Sequence, residues 1–185
     1  MTAVMLSIRP EWCEKIAFRS KTIEVRKSNP KLEAPFKCYI YCTKDKYGHL
    51  YRNDTGSCEE EMPLLYIQHN ATSLVPKGYI NGMVVGEFVC DEVFEIKVFD
   101  NDSIRNWNFY NLADACIPYH ELAAYIGANK TGYGWHISDL KIYDKPKELS
   151  EFLVEDNRTF DCPQLVAMKR APQSWCYVEG VRDNG

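Results

Sequence analysis

The sequence predicts an α+β chain that is mainly β: a small barrel decorated by short helices. Three observations carry that prediction. Short stretches of alternating apolar and polar residues recur from one end of the chain to the other, as half-buried strands require. Only two stretches, around 10–18 and 118–126, carry helical spacing. The chain has 185 residues, with 45% apolar and 13% aromatic content. That is enough for one well-filled core and some room to spare. Residues 1–185 therefore read as a single domain.

The elements follow in chain order. Val4, Leu6 and Ile8 alternate with Met5 and Ser7, a first strand that Arg9-Pro10 breaks. Pro10 suits the first turn of a helix, and Trp12, Cys13 and Ile16 give that helix an apolar side. Residues 21–26 read as a strand, ended by Ser28-Asn29-Pro30. Residues 36–43 form another, with Tyr39 and Tyr41 opposite Cys38, Ile40 and Cys42. The pattern degrades over 44–78, which reads as an inserted excursion or hairpin carrying the acidic run Glu59-Glu60-Glu61. Residues 82–90 are apolar on both faces, as in a central strand, and 92–99 continue them across a bend. Residues 101–111 are irregular. A helix over 118–126 stops at Gly127. Gly132-Tyr133-Gly134-Trp135 reads as a loop, and 136–143 as a strand stopped by Pro146. The C-terminal segment, 147–185, is loose as far as Lys169 and then holds a last strand at 174–178.

Composition narrows the function. The formal net charge is -4, whereas a protein that coats duplex nucleic acid by charge alone is strongly basic. Any nucleic-acid site must be a local patch. Mean hydropathy is -0.39, and no apolar run reaches the length of a membrane span. The N-terminus lacks a basic region followed by an apolar one, so the expected location is the cytoplasm, away from membranes. Eight cysteines without a Cys-x-x-Cys pair read as buried free thiols. A zinc set could be drawn from Cys38, Cys42, His49, Cys58 and His69, but Cys38 and Cys42 fall on one strand face with Ile40. No metal and no cofactor is expected.

The chemistry concentrates in Lys21-Thr22-Ile23-Glu24-Val25-Arg26. On a strand, side chains alternate between faces. Ile23 and Val25 then face a core, and Thr22, Glu24 and Arg26 share the other face with Lys21 at its start. Arg26 and Lys21 can hold a phosphate, Arg bidentately. Glu24 can accept from a base's exocyclic amine or act as a general base. The alternative is a salt-bridge ladder on a solvated face. Ser7 and Arg9 border the same corner. Tyr133 and Trp135 can stack on a base, or Trp135 can be a core residue. Trp175 and Tyr177 read as core, His136 as a hydrogen-bonded structural histidine, and Glu87 as a carboxylate needing a Lys or Arg partner.

Several blocks together resemble the ASCH family, a branch of the PUA-like superfamily. They are Leu6-Ser7-Ile8-Arg9-Pro10, Lys15-Ile16, Lys21 to Lys27, Tyr39-Ile40-Tyr41, 82–88, 134–138 and Tyr143-Asp144-Lys145-Pro146. They come in the family's order and leave out mainly 44–78 and 147–170. The resemblance implies a PUA-like mixed pseudo-barrel with a cleft near the first helix, lined by Lys21, Thr22, Glu24 and Arg26. It also implies RNA, or a small or modified nucleotide, as partner. Some bacterial members are amidohydrolases that use a Lys, a Thr and a Glu. Lys21 matches the Lys, but Glu24 stands where the Thr belongs, and the resemblance does not place the distant acid, for which Glu121 is a weak candidate. Other members are ribonucleases. The expectation is a binding domain without turnover. The alternatives are a hydrolase with Lys21 and Glu24 as its acid and base, and a protein-interaction module that uses the 44–78 insertion.

Overall fold

A computed structural model describes residues 2–53, 62–99, 104–106, 112–156 and 164–179. The acidic run 59–61, Cys58 and most of 101–111 lie outside these. Strand β1 (Thr2–Ile8) runs into helix α1 (Pro10–Ala17) and then β2 (Ile23–Arg26) and β3 (Phe36–Cys42). The hairpin β4 (Gly48–Arg52) and β5 (Leu64–Gln68) follows, then the long β6 (Val84–Val98) and the short β7 (Ile104–Asn106). Helix α2 (Tyr119–Ile126) precedes the longest strand, β8 (Thr131–Lys147). Strands β9 (Leu153–Asp156), β10 (Gln164–Ala167) and β11 (Trp175–Glu179) complete the chain.

The main sheet has the order β10-β9-β11-β1-β3-β6-β8-β2, with β7 beside β6. Its strands pair antiparallel except β1 with β3. α1 and β2 lie between those two in sequence, as a parallel connection requires. β6 bends through register shifts at Val84/Gly86, Glu87/Val89 and Cys90/Val93; such bulges curl a sheet.

The two faces of the sheet bury different sets. Val4, Leu6, Ile8, Cys38, Ile40, Cys42, Phe88, Cys90 and Trp135 fill the barrel interior together with Cys13 and Ile16 of α1. On the outside, Met5, Tyr39, Tyr41 and Tyr143 pack with Phe152 and Met168. α2 lays Leu122, Ala123 and Ile126 over Ile23, Val25, Phe94 and Ile96. Of the thiols, Cys13, Cys38, Cys42 and Cys90 are free and buried as read, whereas Cys116 and Cys176 are free but only partly buried; Cys58 and Cys162 lie outside the described residues. Burial pushes Cys13 and Cys38 well above the ordinary thiol range and Cys90 up to about 12.

Three readings of the sequence need correction. Residues 132–135 are not a loop: they lie within β8, paired with both β2 and β6. Their glycines are there for packing. A Cβ on Gly134 would sit 2.3 Å from the ring of Phe94, and one on Gly132 would sit 2.8 Å from Ile126. Pro146 does not end β8, which continues to Lys147. The stretch after it holds β9 and β10, a ladder from Gln164↔Asp156 to Ala167↔Leu153. Both are short and largely exposed, so neither shows the alternation by which strands are read.

The 44–78 segment does contain a hairpin, and its inner face completes the core. Leu50 and Leu64 are fully buried in the interior cluster, and Glu14 of α1 accepts from the backbone N–H of Tyr66 at 2.8 Å. Removing it would therefore open the barrel.

Gly134→Ala should destabilise the fold by roughly 1–3 kcal/mol, the usual cost of overpacking a filled site. Denaturant unfolding checks this, and Phe94→Leu in the same chain should recover part of the loss.

Candidate functional site

The Lys21–Arg26 stretch is a strand as read, but neither of its faces is open. Lys21 is 1% exposed, Glu24 7% and Arg26 6%. Ile23 and Val25 face α2, while Glu24 and Arg26 turn toward the barrel interior. The three charges form a buried row. Glu24 Oε2 lies 3.3 Å from Lys21 Nζ, and Glu24 Oε1 lies 2.9 Å from an Arg26 terminal nitrogen.

Each cation is also solvated by backbone. Lys21 Nζ donates to the carbonyls of Ile23 at 2.7 Å and Ala115 at 2.8 Å. With Glu24, that directs all three ammonium donors at acceptors. Arg26 donates to Ser7 O at 2.9 Å and to Ser174 O and Oγ, each at 3.3 Å. Its Nε is buried without a partner in the structure, as is Trp135 Nε1.

These contacts have a mechanical meaning. β2 ends the ladder on the β8 side, and no backbone ladder joins it to β1 or β11 among the described residues. Arg26 spans that gap with its side chain, gripping Ser7 on β1 and Ser174 just before β11. Lys21 does the same for the turn before α2, through Ala115. The open sheet becomes a pseudo-barrel across this seam.

The other expected site residues distribute as follows. Thr22 is half-buried and held by its backbone, donating to Asp114 O at 3.0 Å and accepting from Ile137 N at 2.9 Å. The Ser7 hydroxyl donates to Pro172 O at 2.6 Å. Arg9 is not part of the buried row: it occupies the N-cap of α1, with a largely exposed side chain 4.0 Å from Glu11. Tyr133 is half-buried opposite Arg26, and Trp135 lies opposite Glu24. Trp135 is fully buried, edge-on to Phe36 at 5.6 Å and tilted against Trp175 at 6.1 Å. It presents no ring face for stacking a base, so the core alternative describes it. Glu121 lies in the first turn of α2 with an exposed side chain, 4.0 Å from His120.

Two aromatic residues beside the row went unremarked as site candidates. Trp12 of α1 has Lys21 Nζ 5.5 Å and Lys15 Nζ 4.6 Å from its ring centre. Tyr125 of α2 carries Lys27 Nζ at 4.9 Å. Burial raises the Tyr125 phenol; attraction to Arg26 opposes this, and a smaller repulsion from Glu24 adds to it. Both rings occupy the apolar-side spacing of short helices, which in sequence marks only packing.

Elsewhere, Glu87 has the partners it needs. Lys37 Nζ lies at 3.1 Å and the Tyr143 hydroxyl donates at 2.5 Å. His136 Nδ1 lies 2.7 Å from Asp91, the structural role read for it. A cavity of 960 Å³ lies away from the buried row, between β9, β10 and β11. Among the described residues no group of three or more His, Cys, Asp or Glu is disposed to hold a metal. No helix among the described residues is long and apolar enough to cross a membrane.

The chain is a curled mixed sheet with two flanking helices. Among solved structures, the chain is similar to ASCH from Zymomonas mobilis, at 13% identity and a TM-score of 0.55, over 96% of this chain and 87% of that one. A tyrosine-to-phenylalanine variant of that protein matches at 14% identity and TM-score 0.55, covering 90% of its chain. A serine-to-alanine variant matches at 14% and 0.56, covering 88%. No protein-family model and no curated protein matches the sequence. The chain thus has the ASCH fold, in agreement with the resemblance read from its motifs.

Glu24→Gln leaves two buried cations without their carboxylate. It should cost about 3–5 kcal/mol, as breaking one side of a buried ion pair does, measured by thermal or denaturant unfolding. Glu87 gives a pH signature. Burial acts to raise its carboxyl, but hydrogen bonds from Tyr143 and Lys37 outweigh that and hold it below the usual range. A depressed folded-state value adds stability that is complete above the unfolded carboxylate's pKa and is lost as pH falls through the folded one. Unfolding free energies between roughly pH 6 and pH 3 should therefore fall less steeply in Glu87→Gln than in the parent chain.

Proposed function

We propose that this chain binds RNA or a nucleotide, without turnover, at the mouth of the barrel between α1 and β2. The observation that carries the reading is the hydrogen bonding of Lys21. A general base needs a free lone pair and a proton shuttle needs an open position, and all three Lys21 donors are committed to fixed acceptors. Glu24 has one carboxylate oxygen on Lys21 and the other on Arg26, so both are committed as well. Neither residue is arranged as the acid or base of a hydrolase. The position expected of an amidohydrolase's threonine is filled by this same glutamate.

What favours a nucleic-acid ligand is charge and shape. The row carries two cations and one carboxylate, so the seam is locally positive in a chain of net charge -4. Trp12, Tyr133 and Lys15 lie at its edge. The ASCH fold brings with it the expectation, drawn from the motifs, of an RNA-binding or modified-base-binding module. In this reading Lys21, Glu24 and Arg26 shape the floor of the mouth, Thr22 and Ser7 brace it, and Arg9 stands at the rim. An acidic chain with a local patch suits a short single strand or a small nucleotide better than a long duplex.

A second reading has its own observation. Leu65, Ile67 and Leu74 are exposed on and after the β4–β5 hairpin, Leu74 at 93%, and would serve a protein partner.

Purified protein screened against nucleotides, modified nucleosides and short RNAs should show thermal stabilisation and, by mass spectrometry, no product. A ligand at a hundred times its Kd contributes about 2.7 kcal/mol, a rise of roughly 5–10 °C for a chain of this size. Product that accumulates with enzyme would overturn the binding-only reading. No stabilisation by any nucleotide or RNA would overturn the nucleic-acid reading.

A further inference from the structure

The two ends of the main sheet are finished differently. At β2 the last edge is held by side chains, through the Arg26 grip on Ser7 and Ser174. At the other end stands β10, laddered to β9 on one side and to no strand on its outer side among the described residues. Its sequence, Gln164-Leu165-Val166-Ala167, carries no charge and no proline. Those are devices by which a monomer keeps an edge strand from pairing with another chain. Gln164, Leu165 and Ala167 are exposed, Leu165 at 50%. Side chains paired across a ladder share a face of the sheet. Leu165 pairs with Glu155 and Ala167 with Leu153. Leu165 and the 39% exposed Leu153 therefore form one apolar strip on this face. The charges around the strip are sorted by end. Glu155 flanks the Leu165 end, and Lys169 and Arg170 follow the Ala167 end in the chain. All three are exposed, have no ion pair among the described residues, and border the same 960 Å³ cavity.

We infer that β10 is a docking edge for a second copy of this chain, which lays its own β10 against it antiparallel about a two-fold axis normal to the sheet. A two-fold interface uses one patch twice, so the patch must complement itself. This edge does so in the antiparallel sense. Turning one copy end for end brings its Lys169 and Arg170 beside the Leu165 end of the other. Glu155 of that other copy lies one strand further in, about 10 Å away across two strand spacings. A lysine or arginine and a glutamate side chain cover that distance between them. The two-fold makes the same contact twice. A parallel pairing would instead set the two basic ends side by side, and like charges placed opposite one another destabilise a sheet. The axis also keeps the Leu165–Leu153 strips of both copies on one side, where they join. The outer backbone N–H and C=O groups of β10 gain partners in the same step. An arbitrary peptide would satisfy that backbone, but only a second copy has its charges in the required order by construction. The inference is independent of the nucleic-acid reading, since β10 and β2 stand at opposite ends of the strand order.

The test is sedimentation equilibrium of the full chain over a concentration range of about 1 µM to 1 mM. The 21.4 kDa chain should pass from monomer to dimer, and added salt should weaken the dimer. Leu165→Lys places a guarding charge on the edge and should weaken dimerisation at least about tenfold. Lys169→Glu combined with Arg170→Glu should weaken it by a similar factor, and adding Glu155→Lys to that pair should restore most of the loss. Melting curves show whether each variant is folded. Amide exchange of the parent chain needs no variant: residues 164–167 should exchange more slowly at the high concentration than at the low one. A parent chain that stays monomeric throughout overturns the inference and leaves the edge to another partner. A dimer that Leu165→Lys leaves intact, or that forms without slowing exchange at 164–167, is built elsewhere and overturns it too. Failure of Glu155→Lys to rescue the charge reversal overturns the antiparallel geometry.

Discussion

The grip of Arg26 on two carbonyls, with Glu24 holding its guanidinium in place, is the contact on which the barrel depends. Among the described residues, β2 has a ladder on only one side. Without a side chain across its other edge, the strand would leave unpaired backbone and an open seam, a defect that sheets otherwise manage by full closure. A planar guanidinium suits the task because its several donors leave in fixed directions, so one residue reaches both Ser7 and Ser174. The charge it brings must be met inside, and Glu24 meets it. Lys21 then balances the second carboxylate oxygen and ties in the turn before α2. One strand thus specifies the acid and both bases for reasons of closure.

This bears on how a functional motif is read. Alternation along residues 21–26 correctly separated Ile23 and Val25 from Glu24 and Arg26, and the charged face looked like a solvated or ligand-facing one. In a barrel the second face is also an interior, and sequence period carries no information about which kind of face lies opposite the core. The same ambiguity hid Trp135. A Gly-Tyr-Gly-Trp run has the composition of a loop, yet those glycines make room for Phe94 and Ile126. The demand for a small residue comes from partners about 40 and 6 positions away, distances no local pattern records.

Other parts of the fold were legible because their signals were local. β1, β3 and the two arms of β6 alternate or run apolar where they should, and α1 and α2 end at a serine turn and a glycine as short helices do. Tyr39 and Tyr41 separated from Cys38, Ile40 and Cys42 exactly as their parity requires: the tyrosines pack outside and the thiols inside. β9 and β10 escaped because they are short, exposed and paired mainly with one another. Trp12 was visible as a residue but not as a neighbour of Lys21, since only the fold brings its ring to 5.5 Å from the ammonium.

The position of β1 has a further consequence for how the chain acquires its structure. β1 lies between β3 and β11, and Thr2 stands opposite Glu179, 177 residues away in sequence. The Arg26 grip on Ser174 likewise spans 148 residues. Of the described strands, β1 pairs with β11, and the seam can close only after both exist. On a ribosome the N-terminal half would emerge with β1 paired on one side at most and with two buried-to-be cations still in water. Loop closure over such distances delays contact formation, so completion of this barrel is a late event. A chain truncated before residue 174 would lack β1's outer partner as well as the anchor that holds β2 in place.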